Sequence, residues 1–329
     1  AAGDIAIIGI NEDSGPVGSE DHSFTWIALT DIPAGEVIYF TEQGVNINSM
    51  TWFANTEGHY SWTSPSGGLP CGSIIHVYED GASDVLVAQG GGTMSGLLSG
   101  SGWNLSSGDQ VLVYQAASAQ STISSTTFIT GIHLNDDLAD GETNGWTTTS
   151  YNATGVAQCH LPPGLTDGVN CISLYSSSYP EKDNNKYIGT LTGTSTTLRS
   201  LINSPFSSGN WSGDDGGPNA TVGISVSDYS PSVTCVAPCT DPTVPTITAS
   251  VSPVCAGSTT TLSISGSLND ATQWAVYTGS CGGTLLGTTS TSSFLVHHCK
   301  IIRSFLIFVS TQACSKNNNG QLHTVQHEL

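Results

Sequence analysis

The stretch FTWIALTDIPAGEVIYFTE, residues 24–42, decides the fold. Its two ends, FTWIAL and EVIYFTE, are short runs of β-branched and aromatic residues, a composition that is typical of β-strands. Between them, residues 31–35 predict a turn, because Pro33 presets φ and Gly35 tolerates a positive φ. The stretch therefore predicts two strands joined by a short turn.

The same composition recurs along the first two thirds of the chain. Five further segments are β-rich and are bounded by Gly, Asp, Pro or Ser: residues 4–10, 73–79, 84–89, 110–115 and 127–132. One helix is predicted at residues 196–203, since Thr194 or Ser195 can cap its start and Pro205 ends it. Many strands and one helix predict an all-β protein whose large N-terminal domain is a β-sandwich or jelly roll.

A change in composition near Asp228 predicts a domain boundary. The segment from residue 229 to residue 245 contains four prolines, which favour extended backbone and suit a linker. The strand-like segments that follow predict a small Ig-like sandwich with Trp274 in its core. We therefore expect a body domain over residues 1–228, a linker over 229–245, and an Ig-like domain with a divergent tail over 246–329.

The charge of the chain restricts its partners. Twenty-six acidic residues stand against six Lys and Arg, which gives a formal net charge of −20. A nucleic-acid partner is excluded because binding it requires cationic side chains against the phosphates, and an anionic membrane surface would repel the protein. No apolar run reaches the roughly 18–20 residues of a membrane span. Cations and neutral glycans remain as partners.

Nine cysteines and the N-terminal sequence predict a secreted protein. The chain opens AAGDIAIIGI, as a mature protein does once its signal peptide has been removed. The cysteines lack the paired CxxC spacing that is typical of a zinc site. They therefore predict disulfides in an oxidising compartment. An odd count leaves one thiol unpaired or bonded to another chain. Cys159 with Cys171 could close a short loop, and Cys235 with Cys239 could close the linker; the disulfide candidates are Cys159, Cys171, Cys235, Cys239, Cys255, Cys281, Cys299 and Cys314.

Acidic loops make calcium the expected cofactor. Calcium takes six to eight oxygen ligands, and the densest supply lies at Asp136, Asp137, Asp140 and Glu142, where Gly141 allows a sharp turn. Acidic loops also lie around Glu12 and around Asp214, and none has the EF-hand spacing. The alternative is a solvated acidic surface. Four N-glycosylation patterns predict surface loops and a glycoprotein: Asn104, Asn152, Asn210 and Asn219.

No catalytic signature is present in the sequence. A Gly-x-Ser-x-Gly elbow, a His-Glu-x-x-His pair and a P-loop are all missing, so we expect a protein that is not an enzyme. A pair of carboxylates could serve an acid glycosidase, but the fold sets their separation. Four tryptophans near loops either stack on sugars or pack in the core: Trp52, Trp62, Trp103 and Trp146.

Two portions of the chain resemble known families. Residues 251–296 contain Cys-Ala-Gly, a Thr-rich strand, Trp with Tyr three residues on, and Gly-Ser-Cys-Gly-Gly; they resemble the Ig-like repeats of large secreted Bacteroidetes proteins. Residues 4–228 resemble a β-rich module near the start of many secreted bacterial multidomain proteins, through GDIAIIGIN, SSGDQVLVYQ, LPPGLTDG, DNNKYIGTLTGT and NWSGDD. The resemblance implies surface attachment, adhesion or matrix building, and no particular chemistry.

The last 33 residues depart from the Ig-like pattern. SFLIFV, residues 304–309, is apolar and free of proline, so it predicts a strand that closes its own domain or adds to a sheet edge in another copy. Alternatively, the tail is a divergent or frame-altered terminus without a role. Head-to-tail strand addition does not close on itself and gives filaments. The expected assembly residues are Phe305, Leu306, Ile307, Phe308 and Val309.

These observations predict a structural subunit of an extracellular filament or surface layer, whose partners are copies of itself. The alternative is a calcium- or glycan-binding adhesion module of a cell-surface protein.

Overall fold

The computed structural model describes 17 parts of the chain: residues 1–12, 21–53, 57–80, 85–100, 102–105, 108–134, 145–146, 159–175, 179, 181–215, 222–235, 246–250, 259–268, 273–278, 284–297, 305–310 and 323–327. The chain divides into two compact units, Ala1–Val236 and Ala237–Leu329. Strands dominate both units, which confirms the all-β sandwich class.

The first unit is built on two six-stranded sheets. The first sheet has the order β15 (Trp211–Asp214), β13 (Asn184–Tyr187), β1 (Ile5–Asn11), β2 (Asp21–Ala28), β7 (Ile74–Glu79) and β8 (Leu86–Gln89). The second has the order β12 (Ile172–Ser173), β11 (Thr127–His133), β10 (Gln110–Gln115), β3 (Val37–Thr41), β6 (His59–Thr63) and β9 (Thr93–Met94). Each of the seven segments predicted as strands overlaps one of these strands. The turn at residues 31–35 leads from the first sheet to the second.

Short elements complete the first unit. Two small ladders join β4 (Val45–Asn46) to β5 (Thr51–Trp52) and β14 (Thr192–Thr194) to β16 (Ser232–Thr234). The predicted helix is α1 (Ser195–Ile202), and its N-cap Thr194 accepts a hydrogen bond from the backbone N of Thr197 at 3.2 Å. Single 3-10 turns span Ile123–Ser125, Phe206–Ser208 and Val226–Asp228.

Aromatic side chains fill the space between the two sheets. The ring of Phe24 lies 5.2 Å from that of Phe40, and Trp26 meets Trp62 edge to face at 5.1 Å. All four rings are fully buried. Large aromatic residues carry most of the burial free energy of such a core, and each pair joins one sheet to the other.

The outer face of β1 is also covered, which explains its unbroken apolar sequence. Tyr229 donates a hydrogen bond from its hydroxyl to the Ile8 carbonyl at 2.8 Å. Ile224 lies directly over Gly9, where a Cβ would stand 2.5 Å from its Cγ2. Strands buried on both faces are continuously apolar rather than alternating. Glycine at position 9 therefore allows residues 222–229 to approach the strand.

The first part of the predicted linker belongs to the first unit. Tyr229 packs in its core, Ser232–Thr234 forms β16, and Cys235 is disulfide-bonded to Cys71 with a Cα–Cα distance of 6.1 Å. This corrects the prediction that Cys235 pairs with Cys239. Pro231, the one proline among residues 229–235, precedes β16, and the extended backbone that follows it forms a strand of the first unit.

The second unit contains a three-stranded and a four-stranded sheet. The first has the order β17 (Thr246–Ala249), β18 (Thr259–Ser265) and β21 (Ser293–His297). The second has the order β20 (Thr284–Thr289), β19 (Gln273–Thr278), β22 (Phe305–Ser310) and β23 (His323–His327). Trp274 is buried in its core, as predicted, together with Leu262 and Val276.

Candidate metal centre

Three carboxylate side chains meet where β1 ends and β13 begins. Glu12 directly follows β1, and Asp183 directly precedes β13. The antiparallel register of the two strands extends one step further, since the backbone N of Glu12 donates to the Asp183 carbonyl at 3.0 Å. Glu181 lies two residues before Asp183. Strand pairing therefore unites acidic residues from opposite ends of the body sequence; we call Glu12, Glu181 and Asp183 the carboxyl cluster.

The oxygens of the carboxyl cluster lie close together, and the Glu12 side chain is shielded from water. One carboxylate oxygen from each of the three residues lies within 4.8 Å of the other two. Glu12 is only 4% exposed, and the other two side chains are half-buried. Like charges held this close in a poorly solvated site repel each other strongly.

Glu12 also connects the cluster to the second sheet. Its Oε2 accepts a hydrogen bond of 2.9 Å from the backbone N of Gly108, in the loop that leads into β10. Its Oε1 is inaccessible to solvent and has no hydrogen-bond partner among the described residues. The neighbouring Asp109 is 1% exposed and lies close enough to act on the charge of Glu12. One oxygen of Glu12 thus contacts the loop before β10, and the other is buried without a hydrogen-bond partner among the described residues.

The acid–base properties of the cluster reflect this crowding. Burial raises the pKa of Glu12 well above its usual value, and the charges of Asp109, Glu181 and Asp183 raise it further. Burial and Asp183 raise the pKa of Glu181 to about 7. The ammonium of Lys182 lowers the pKa of Glu181 in part, although its hydrogen bond of 2.5 Å goes to Asp215. The cluster consequently favours either bound protons or a bound cation.

The residues of the cluster suit a hard metal ion. They offer only oxygen ligands, which calcium and magnesium prefer, whereas zinc sites usually contain nitrogen or sulfur. Calcium accepts several protein carboxylates in an irregular arrangement, while magnesium requires near-octahedral geometry and keeps more of its water. The metal residues predicted from the sequence, Asp136, Asp137, Asp140 and Glu142, lie outside the described residues.

A pocket of about 200 Å³ elsewhere in the first unit carries carboxylates that are already engaged. Asp4 lies 3.8 Å from the guanidinium of Arg199, Asp31 accepts from the backbone N of Cys71 at 2.9 Å, and Glu36 accepts from Gln115. An acid glycosidase needs a proton-donating carboxyl group and a second carboxylate free to act on substrate.

A buried hydrogen-bonded network fixes His59 as a neutral imidazole. Its Nε2 lies 2.6 Å from Gln43 Oε1, which can only accept, so Nε2 carries the proton. Its Nδ1 then accepts from the Tyr114 hydroxyl at 2.7 Å. Burial lowers the pKa of His59 to about 4 and raises that of Tyr114. Both ring nitrogens of His59 are therefore engaged within the buried network.

The cysteine predictions have mixed outcomes. Cys235 forms a disulfide, but with Cys71, which the sequence did not single out. Cys159 and Cys171 are buried free thiols beneath the outer face of the second sheet, rather than a disulfide. Burial raises the pKa of Cys159 to about 12, so its thiolate is disfavoured. The remaining candidates lie outside the described residues: Cys239, Cys255, Cys281, Cys299 and Cys314.

The predicted surface sites differ in accessibility. Asn104 is exposed, whereas the Asn210 amide nitrogen donates to Ser204 Oγ at 3.0 Å and is half-buried. Asn152 and Asn219 lie outside the described residues. Trp62, Trp103 and Trp146 are at most 2% exposed, so they pack in the cores and do not form a sugar-stacking platform.

The predicted assembly strand is paired on both sides within its own unit. Phe305–Ser310 forms β22, which is hydrogen-bonded to β19 along one edge and to β23 along the other. The five predicted assembly residues all belong to this ladder. Adding β22 to another copy would therefore require one of these two pairings to open.

Comparisons with known proteins give no match: no protein-family model, no curated protein and no solved structure is significantly similar to the chain. Among the described residues, no helix has both the length and the apolar character needed to cross a membrane. The resemblance to secreted bacterial modules stays a prediction.

Sequence reasoning found one member of the cluster and missed the others. Glu12 was noted in an acidic loop, but Glu181 and Asp183 were not, and neither was the neighbouring Asp109. Their signal was weak: each is an acidic residue at the boundary of a strand-like segment, as in EKDNNKY at residues 181–187. Only the pairing of β13 with β1 makes these boundaries neighbours.

Proposed function

We propose that the chain is a non-catalytic structural subunit of an extracellular filament or surface layer, built to carry tension between its two units. The observation that carries this proposal is the disulfide between Cys71 and Cys235. Cys235 lies at the end of the first unit, immediately before the chain passes into the second. A disulfide also suits the oxidising environment outside a cell.

The position of the disulfide supports a mechanical role. Without it, a pull on the chain beyond residue 235 would act on β16, which is held to β14 by a parallel ladder of only three residue pairs. With it, the pull passes through Cys71 into the segment that leads directly to β7, a strand paired on both sides within the first sheet. Short ladders at a unit boundary separate easily, and a covalent bond prevents this separation.

Electron microscopy of the purified, oxidised full-length protein tests the assembly. Filaments or ordered layers are expected, and sedimentation should show species that grow with protein concentration. A protein that stays monomeric at all concentrations, with and without calcium, would refute assembly into a polymer.

Single-molecule stretching tests the mechanical role separately. The disulfide encloses a sequence separation of 164 residues, which corresponds to about 55 nm of extended chain. When the first unit of the oxidised protein unfolds under force, its extension should not include this length. After treatment with reductant, the extension should include it. Equal extension under both conditions would show that the bond carries no load.

The second candidate is a calcium-binding adhesion module of a cell-surface protein. The carboxyl cluster at Glu12, Glu181 and Asp183 favours it. The burial of three of the four tryptophans that were candidates for sugar stacking weighs against glycans as the ligand, since stacking on a sugar requires an exposed ring. Binding of the protein to cell surfaces only in the presence of calcium would favour this candidate over the filament.

A further inference from the structure

We propose that the carboxyl cluster of Glu12, Glu181 and Asp183 is a calcium site that ties the end of β1 to the start of β13. The site lies entirely in the first unit and holds whether or not the protein forms filaments.

The spacing of the oxygens fits one shared ion. Calcium binds oxygen at about 2.3–2.6 Å, so two ligands of one ion are at most about 5 Å apart. The three carboxylate oxygens lie within 4.8 Å of one another. A single calcium ion could therefore contact all three with little movement of the backbone, which the hydrogen bond from Glu12 N to Asp183 O fixes at this point.

The buried oxygen of Glu12 points independently to a ligand. Glu12 is 4% exposed, its Oε2 is held by Gly108, and its Oε1 has no hydrogen-bond partner among the described residues. Glu181 Oε1 is likewise buried, and the described residues offer it no hydrogen-bond donor, while the Glu181 side chain faces the Asp183 carboxylate. A buried carboxylate oxygen without a donor is costly, because it has lost its water and gained nothing in return. A cation between these oxygens supplies the missing interaction.

Most of the surrounding charges are also negative. Asp109, which is 1% exposed, adds a fourth acidic group beside Glu12. Lys182, the base within this stretch, pairs with Asp215. A divalent ion would offset the repulsion among the carboxylates that it contacts.

Calcium titration of the chelator-treated full-length protein is the primary test. Calorimetry should detect binding, and calcium at about 100 times its dissociation constant should raise the midpoint of thermal unfolding by about 5 °C or more. The double variant Glu181→Gln, Asp183→Asn should bind at least ten-fold more weakly. Asp80→Asn, which removes one exposed negative charge at the end of β7, is the matched control and should bind like the wild type.

A second variant separates metal binding from a purely structural role. Glu12→Gln keeps the shape of the side chain and removes its buried charge. In chelator it should unfold at the same temperature as the wild type or above it, and in calcium it should lose the stabilisation. If Glu12 had only a structural role, its replacement would lower the midpoint of thermal unfolding equally in chelator and in calcium.

Two results would overturn the proposal. One is the absence of both heat and a thermal shift on adding calcium. The other is unchanged affinity in the double variant together with loss of binding in Asp136→Asn, Asp140→Asn, which would assign calcium to the other acidic loop.

Discussion

Removing the disulfide between Cys71 and Cys235 is expected to destabilise the first unit by several kcal/mol. The bond joins residues 164 positions apart, so it restricts the unfolded chain over most of the body domain. The chain-entropy relation gives about 17 cal/mol/K for a loop of this size, or about 5 kcal/mol at 25 °C. Measured effects often fall below this relation, so we expect a loss of about 3–5 kcal/mol.

The double variant Cys71→Ser, Cys235→Ser allows this to be measured without leaving a reactive thiol. Both positions are at least partly exposed, so serine adds no buried polar group. Tryptophan fluorescence during guanidinium unfolding reports mainly on the first unit, because six of the seven tryptophans lie in it. The transition midpoint should fall while the slope of the free energy with denaturant changes little.

The wild type treated with a phosphine reductant provides the control, and its transition should coincide with that of the double variant. Identical midpoints for the oxidised wild type and the double variant would refute the reasoning. That result would mean that residues 229–235 detach before the body unfolds, so that the bond does not constrain the cooperative transition.

Two further predictions concern the core of the first unit. Gly92→Ala should cost more stability than Gly35→Ala in chemical denaturation: both glycines have positive φ (74° and 71°), which costs alanine about 1–2 kcal/mol, but only at Gly92 would the new Cβ meet Trp62, at 2.1 Å. Equal losses would show that Trp62 moves aside freely. Acid should destabilise the protein through His59, whose folded pKa of about 4 lies below its unfolded value near 6.5. Stability from this group is present above pH 6.5 and is lost as the pH falls towards 4, by about 3 kcal/mol in total, because only the unfolded state binds the proton. Replacement by Gln should flatten the pH dependence of the unfolding midpoint in this range, and an unchanged profile would contradict the assignment.

The candidate site was only partly accessible to sequence reasoning, whereas most of the fold was. Strand-forming runs such as residues 24–29 and 110–115 carry their own signal, because neighbouring β-branched and aromatic residues favour extended backbone wherever they lie. The helix that begins at Ser195 was likewise specified locally by its cap. The disulfide partner of Cys235 was not specified locally, because nothing in the sequence around Cys71 indicates that Cys71 lies closer to Cys235 than Cys239 does.

The sequence by itself determined that this chain is acidic, that it forms short strands, and that its composition changes near residue 228. Those properties belong to single residues and their immediate neighbours. Only the tertiary structure decided that Glu12 faces Glu181 and Asp183, and that β22 is enclosed by strands of its own unit. These relations depend on the order of strands in a sheet, and that order follows from how all the strands together bury their apolar faces.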